Sequence, residues 1–569
     1  MPESASPSPV VPPAVASPLK IKAIAERLGL GDDDWEPQGW FKGKLALGLE
    51  GRLPPRAGAK LIGVSAVNPT PYGEGKTVAA IGLAMALCRL GHAAIATLRQ
   101  PSQAPVFGVK GGGAGGGRAA LCPADEINLH FTGDAHAVAA ANNLLAAMID
   151  NHLKRRKTPR LCPETVGWRR VLDVSDKGLS SIVTGLGDRR QAPLRETGFD
   201  LTAASEVMAI LALATSLEDL RRRLGRIFVG MTEAGKPAFA EDIGCAGAMA
   251  ALLRDALRPN LVQTCEQTPA LVHAGPFGNI AHGNSSVLAD VTALRLADFV
   301  VTESGFGADC GAEKFFHIKC RTSGLRPSVE VLVCSVRALK YQSGRFRVVA
   351  GKPLPAELER DDEDALRAGS VNLQAHLEIL RQFGLPVVVA VNRFPHDSSR
   401  ELDLVCRIAR DNGAAAAAVI DAFAEGGRGA EDLAQAVTAA CKEPSELRWL
   451  YDLEMSPAEK IEALATRVYG AERVDFEPLA KRRMEQFVEL GFGRLPVCIA
   501  KTQYSLSHDP KLLGRPRGFR FPIRDVRLAS GAGFLYALAG EINTMPGLPA
   551  EPAALAIDVY ADGTIRGLR

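Results

Sequence analysis

The eight residues Thr70-Pro71-Tyr72-Gly73-Glu74-Gly75-Lys76-Thr77 combine glycines, a lysine and a hydroxyl at a spacing suited to phosphate groups. A glycine-rich turn between a strand and a helix aims backbone N–H groups, and the positive end of the helix dipole, at an anion. Lys76 adds a mobile positive charge for terminal phosphates, and the Thr77 hydroxyl is suited to holding Mg2+. A strict Walker-type loop needs glycine at position 70; this chain has Thr70 followed by Pro71, so the loop is a variant. The run predicts a nucleotide site.

Further groups with chemical potential follow downstream. Arg99-Gln100-Pro101-Ser102 ends an apolar segment, and Lys110 then opens a stretch with six glycines among residues 111–117. So many glycines are costly inside a helix or strand. They form either a flexible linker or a loop that lets backbone approach a ligand, with Arg99 and Lys110 supplying charge. Asn128-Leu129-His130-Phe131-Thr132-Gly133-Asp134-Ala135-His136 leads into a helix. Its two imidazoles and carboxylate could move a proton, although Asp134 could equally be a helix N-cap. The stretch Pro269 to Ser286, with His273 and His282, reads as a loop poor in regular structure. Glu303 and Asp309 stand at the end of an apolar strand, where a carboxylate could orient Mg2+ or its water. The alternative is that Asp309 and Glu313 pair with Lys314 or Lys319 on a helix face.

The elements that must position these groups are legible from periodicity. Short continuous apolar runs at Leu61 to Val67, Ala93 to Leu98, Leu261 to Gln263, Phe299 to Thr302 and Val387 to Val391 suit strands buried on both faces. Helical patterns fall between them at Val78 to Leu90, Asp134 to Leu153, Leu201 to Ala214, Ala246 to Leu257 and Asn372 to Leu380. The fold class is therefore α/β, a large P-loop-type domain with a mostly parallel, doubly wound sheet whose ligands collect at strand carboxyl ends. Two smaller α/β domains follow, with boundaries near residues 365 and 480: 19–365 for nucleotide, 366–480 for a second ligand, 481–569 at the C-terminus. Residues 1–18 hold no Lys or Arg and read as a disordered tail.

Composition fits a large cytoplasmic enzyme. The chain has 569 residues, 67 Lys+Arg against 64 Asp+Glu, and a hydrophobic fraction of 47%. Near-neutral charge gives no argument for nucleic acid or a membrane surface, and no apolar run reaches the ~18 residues of a spanning helix. The 11 cysteines are scattered, with no Cys-x-x-Cys pair to indicate zinc or a disulfide framework.

Several of these motifs together resemble the formate–tetrahydrofolate ligase family, also called 10-formyltetrahydrofolate synthetase. They are Thr70 to Thr77, Leu98-Arg-Gln-Pro-Ser102, Pro105-Val-Phe-Gly-Val-Lys-Gly-Gly112, Asn128 to Asp134 and Gly305-Phe-Gly-Ala-Asp309. The likeness continues through Asn392-Arg-Phe-Pro395, Leu490-Gly-Phe-Gly493, Ala500-Lys-Thr-Gln-Tyr-Ser505 and Thr544-Met-Pro-Gly-Leu-Pro549. It implies ATP-dependent joining of formate to tetrahydrofolate through formyl phosphate. Lys76 and Arg99 would supply charge, Mg2+ would sit near Thr77 with Glu303 and Asp309, and one of His130, Asp134 and His136 would accept the N10 proton. It also implies a homotetramer and activation by a monovalent cation such as K+. Phe394 matches an aromatic that the family stacks on the pterin; Phe423 stands where the family has Trp, and Glu425 where it has Lys. Further departures are Gln103-Ala104, Arg118, Ser304 and Cys310. Two other readings compete with the ligase: a partner-binding switch ATPase, and a divergent homologue that has lost turnover.

Overall fold

The computed structural model describes residues 17–108, 112–187, 193–349, 352–540 and 542–568. Lys110, Gly111 and nearly all of the expected tail lie outside them. The framework is a 12-stranded sheet. Its strands in chain order are β1 (Trp35–Pro37), β2 (Gly43–Leu45), β3 (Lys60–Ala66), β4 (Ala94–Leu98), β5 (Gly115–Gly116) and β6 (Ala119–Cys122). They continue as β7 (Asn260–Thr264), β8 (Pro269–Val272), β9 (Phe299–Gly307), β10 (Val329–Cys334), β11 (Val387–Asn392) and β12 (Ala416–Ile420). Across the sheet the order is β1-β2-β7-β8-β4-β9-β3-β10-β11-β12, with the β5–β6 hairpin attached to β7. All neighbours from β8 to β12 pair in parallel.

Alternation across this sheet explains the continuous apolar runs. On β3, Ile62, Val64 and Ala66 face a core that also takes Ile81, Leu83 and Leu87 from helix α1 (Lys76–Arg89). Leu61 faces the opposite core, with Phe316, Leu377, Leu380 and Phe383. Residues of both parities are thus buried, so the strand pattern shows no polar alternation. The expected doubly wound α/β fold is present. A third core gathers around Val138, Leu145 and Ile149 of helix α2 (Asp134–Arg155). A smaller three-stranded sheet joins Val497–Ala500, Phe534–Leu538 and Asp525–Ala529.

Several expectations need correction. β10 and β11 pair directly, so the sheet runs uninterrupted past residue 365. Residue 480 lies within the helix Pro478–Glu489. The first residues of the Pro269 to Ser286 stretch form strand β8, because they pair with both β7 and β4. The helix expected from Leu201 starts only at Glu206: Phe199–Leu201 is a strand, and the Ser205 side chain caps the helix by accepting from the Met208 N–H. Gly115 and Gly116 are strand residues, opposite Ala120 and Ala119.

One core position carries an acid. Glu330 on β10 is fully buried, and among the described residues no hydrogen bond reaches its side-chain oxygens. Burial pushes its carboxyl up to about 8. The folded chain therefore keeps this proton through a range where the unfolded chain, at 4.5, has lost it. That stabilisation is complete below the unfolded value and disappears as pH rises through about 8. Glu330→Gln should remove this part of the pH dependence, on the order of a few kcal/mol. Urea midpoints at pH 5 and pH 8.5 would differ less in the variant than in the parent; an equal difference would mean that Glu330 is already charged in the fold.

Candidate active site

The phosphate-type loop leaves the carboxyl end of β3. Gly73 and Gly75 adopt left-handed backbone conformations, with φ of 79° and 75°. A Cβ on Gly75 would meet the Asn392 amide nitrogen at 2.4 Å, so glycine is required there for space as well as torsion. Thr70, the departure from a strict loop, is buried; its N–H donates to Glu74 Oε1 at 2.8 Å and its Oγ1 accepts from the Tyr72 N–H at 3.3 Å. Pro71 sits between these two anchored residues. Glu74 is itself buried, and its second oxygen accepts from the Ser335 hydroxyl and from Arg337 Nε. The Asn392 amide donates to the Glu74 carbonyl at 3.0 Å. Glu74 thus holds the loop in shape from inside. Tyr72 turns outward and donates to the Val349 carbonyl at 3.1 Å.

Four of the expected groups converge beyond the loop. Thr77 Oγ1 lies 3.0 Å from Glu303 Oε1, which joins the first turn of α1 to the end of β9. Lys76 makes no hydrogen bond or ion pair with the described residues, and burial lowers its ammonium from the ordinary range. Glu303 opposes that shift, whereas Arg99 adds to it. Burial also lowers Arg99, again against the pull of Glu303. Arg99 donates to the Pro276 carbonyl at 3.3 Å, and its buried Nε has no partner among the described residues. Gly305 leaves room for it, since a Cβ there would stand 3.2 Å from the guanidinium. Two cations aimed at one corner, with one carboxylate between them, suit a multiply charged anion. A hydroxyl beside a carboxylate is also an oxygen donor set that Mg2+ accepts, with the remaining ligands coming from substrate phosphates and water.

Asp309 does not join that corner. Its carboxylate is fully buried between Lys501 Nζ at 2.5 Å, Asn68 Nδ2 at 3.2 Å and His376 Nε2 at 3.4 Å. Burial alone would raise it, but Lys501 and His376 outweigh burial and hold it well below the usual carboxylate range. Asp309 therefore acts as an interior tie, not a metal ligand, and its partners are not the Lys314 or Lys319 expected from helix spacing. Glu313 pairs with His317, and Lys319 with Asp290. The Asp309 cluster also joins the C-terminal segment to the end of β3, because Asn68 donates to the Gln503 carbonyl at 3.2 Å.

The candidate bases separate. Asp134 is the first residue of α2, with Gly133 at the cap position, so it is not an N-cap. It accepts from Lys44 at 2.8 Å and from Asn260 at 2.7 Å, and all three residues are buried. His130 and His136 are exposed. His130 Nδ1 lies 3.4 Å from Gln103 Nε2, which links it to the chain leaving β4. His273 is structural: its ring bonds to Ser286 at 2.6 Å and to the Ala256 carbonyl at 2.7 Å, and burial lowers it to about 4. His282 is buried, with neither ring nitrogen bonded to a described residue.

The described part of the glycine stretch is a fitted surface, not a linker. A Cβ on Gly112 would overlap the Asn128 side chain at 1.9 Å, and one on Gly117 would meet the Phe423 carbonyl at 2.2 Å. The Arg118 N–H donates to that same carbonyl at 2.8 Å. Phe423 follows β12 and is 57% exposed, which leaves most of its ring available for stacking. Phe394 follows β11, the neighbouring strand, and is half-buried.

The sequence model of formate–tetrahydrofolate ligase matches residues 13–569. A formate–tetrahydrofolate ligase of Roseiflexus sp. (strain RS-1) is 56% identical over 548 residues, covering 96% of this chain and 97% of that protein. One from Desulforamulus reducens is 54% identical over 550 residues, and one from Cutibacterium acnes 50% over 548. The chain belongs to the formate–tetrahydrofolate ligase family. It is accordingly a ligase. Among the described residues no helix is long and apolar enough to cross a membrane.

Within this ligase family the departures noted in the sequence acquire settings. Gln103 donates to the Leu129 carbonyl at 3.1 Å. Glu425 is partnered by Arg428 at 3.1 Å, so its reversed charge is partly neutralised. Ser304 accepts from Asn284 at 2.8 Å, and burial raises the Cys310 thiol to about 11. Sequence reasoning missed Ser335 and Arg337, since neither belongs to a phosphate motif. The signal was indirect: Glu74, a buried acid inside a loop patterned for an anion, needed partners. Gly75→Ala should distort the loop at both its torsion and its Asn392 contact, weakening ATP affinity about tenfold or more in titration calorimetry. Unaltered affinity would show that nucleotide does not rest on this loop.

Proposed function

We propose that the chain uses ATP to join formate to N10 of tetrahydrofolate, giving 10-formyltetrahydrofolate, ADP and phosphate. The observation that carries this reading is the convergence of Lys76, Arg99, Thr77 and Glu303 at one corner in a chain of this family. Formate is a poor acyl donor because expelling oxide is prohibitive. Activation by phosphate solves this: a formate oxygen attacks the γ-phosphorus, the bond to the β-phosphate oxygen breaks, and ADP leaves. N10 then attacks the formyl carbon of formyl phosphate, the C–O bond to phosphate breaks, and N10 loses its proton.

The residues divide this work. Lys76, which makes no hydrogen bond or ion pair with the described residues, can follow the γ-phosphoryl group as its charge moves to the leaving oxygen. Arg99 holds the formate carboxylate and then the acyl phosphate, since its planar fork matches both. Positioning and charge are most of what phosphoryl transfer requires. Mg2+, when bound near Thr77 and Glu303, neutralises phosphate charge. Phe394 and Phe423, leaving adjacent strands, stack on the pterin ring. Of the three candidate bases, Asp134 is already engaged by Lys44 and Asn260, and His130 meets Gln103 on the chain that carries Arg99; we assign the N10 proton to His130. A homotetrameric, cytoplasmic enzyme stimulated by a monovalent cation such as K+ is the form that the family resemblance supports.

The test is ADP release with Mg-ATP and tetrahydrofolate, with and without formate, alongside absorbance detection of the formylated folate. Formate-dependent ADP release should match folate product. Lys76→Ala should reduce both by roughly 10²–10³-fold or more. His130→Ala should slow folate formylation by about 10²-fold. ATP hydrolysis indifferent to formate would overturn the ligase reading in favour of a switch ATPase. Bound nucleotide without turnover would mean that the departures around Arg118 and Glu425 have removed the reaction.

A further inference from the structure

Arg337 touches both halves of the proposed site. It is the second residue of helix α3 (Val336–Gln342), which follows β10 and is capped by Ser335. β10 lies between β3, which ends in the phosphate loop, and β11, which ends beside Phe394. From this middle position the guanidinium reaches both neighbours. Its Nη2 donates to the Gly73 carbonyl at 2.6 Å, and its Nε to Glu74 Oε2 at 3.3 Å. Its Cζ stands 3.6 Å from the centroid of the Phe394 ring, a close stacking distance. The Phe394 N–H is held by Asp397 at 2.8 Å, so the ring swings from a fixed backbone.

We propose that Arg337 is a positioning residue that couples the nucleotide and folate sites. The inference rests on the reading that Phe394 stacks on the pterin. One face of the Phe394 ring is covered by the guanidinium, which leaves the other face for a flat ligand. Nucleotide that settles the Gly73–Gly75 turn also settles the Gly73 carbonyl, and with it the plane of Arg337 and of Phe394. By linkage, folate that fixes Phe394 must favour the nucleotide-ready loop to the same degree. A lysine in this position could donate to the carbonyl but would present no flat face to the ring.

The experiment measures tetrahydrofolate affinity by calorimetry with and without a non-hydrolysable ATP analogue and Mg2+, on the full chain. The parent should bind tetrahydrofolate about 5-fold or more tighter when the analogue is present. In Arg337→Lys that ratio should fall towards one, while each ligand alone still binds. If Arg337→Lys does not fold, Arg337→Gln, which keeps a donor for the carbonyl, reads the same ratio. A parent ratio of one, or an unchanged ratio in the variant, overturns the coupling and leaves the ligase reading intact. Phe394→Leu should weaken tetrahydrofolate binding in both conditions and abolish the ratio. Undiminished folate affinity in Phe394→Leu strikes instead at the pterin reading, and the coupling falls with it.

Discussion

Shared strand direction is the constraint on which the site depends. β4, β9, β3, β10 and β11 are neighbours in the sheet and run parallel. Their carboxyl ends therefore open on one side, and each delivers its next residues to the same place. Arg99 arrives from β4, Glu303 from β9, the phosphate loop from β3, Ser335 and Arg337 from β10, and Asn392 and Phe394 from β11. These residues are hundreds of positions apart in the chain. An antiparallel sheet of the same composition would send alternate members to opposite edges. The chemistry is thus a product of topology before it is a product of any single side chain.

Buried charge does the finer positioning. Glu74 is buried, so it must be satisfied by Thr70, Ser335 and Arg337, and satisfying it ties the loop to the segment that follows β10. Asp309 does the same for Asn68, His376 and Lys501, drawing the C-terminal segment against the end of β3. Taking ions out of water is costly, and such pairs add less to stability than their number suggests. What they add is definition. A carboxylate that costs several kcal/mol to leave unpaired tolerates few alternative arrangements.

Much of this was legible in the sequence, for reasons that differ by residue. The strand at Val387 to Val391 was readable because burial on both faces leaves an unbroken apolar run. The loop at Gly73 and Gly75 was readable because left-handed torsions nearly demand glycine. Asp309 was misread because a carboxylate near a strand end looks the same whether it faces solvent, metal or Lys501, which lies far away in the chain. The glycines near Gly112 and Gly117 raised a linker as an alternative because composition reports missing side chains, not the neighbours that occupy their space. Arg337 was invisible for a related reason. Its importance comes from β10 lying between β3 and β11, and strand order is not a local property.

The buried acid Glu330 has an evolutionary side. A Cβ on Gly63 would overlap Glu330 Oε2 at 1.9 Å, so the carboxyl fills the room that the glycine vacates. Neither position is free to drift alone. A side chain at 63 demands a smaller residue at 330, and a smaller residue at 330 opens a void beside 63. The two residues form an epistatic pair: a path through sequence space must cross a less stable single mutant, or change both at once.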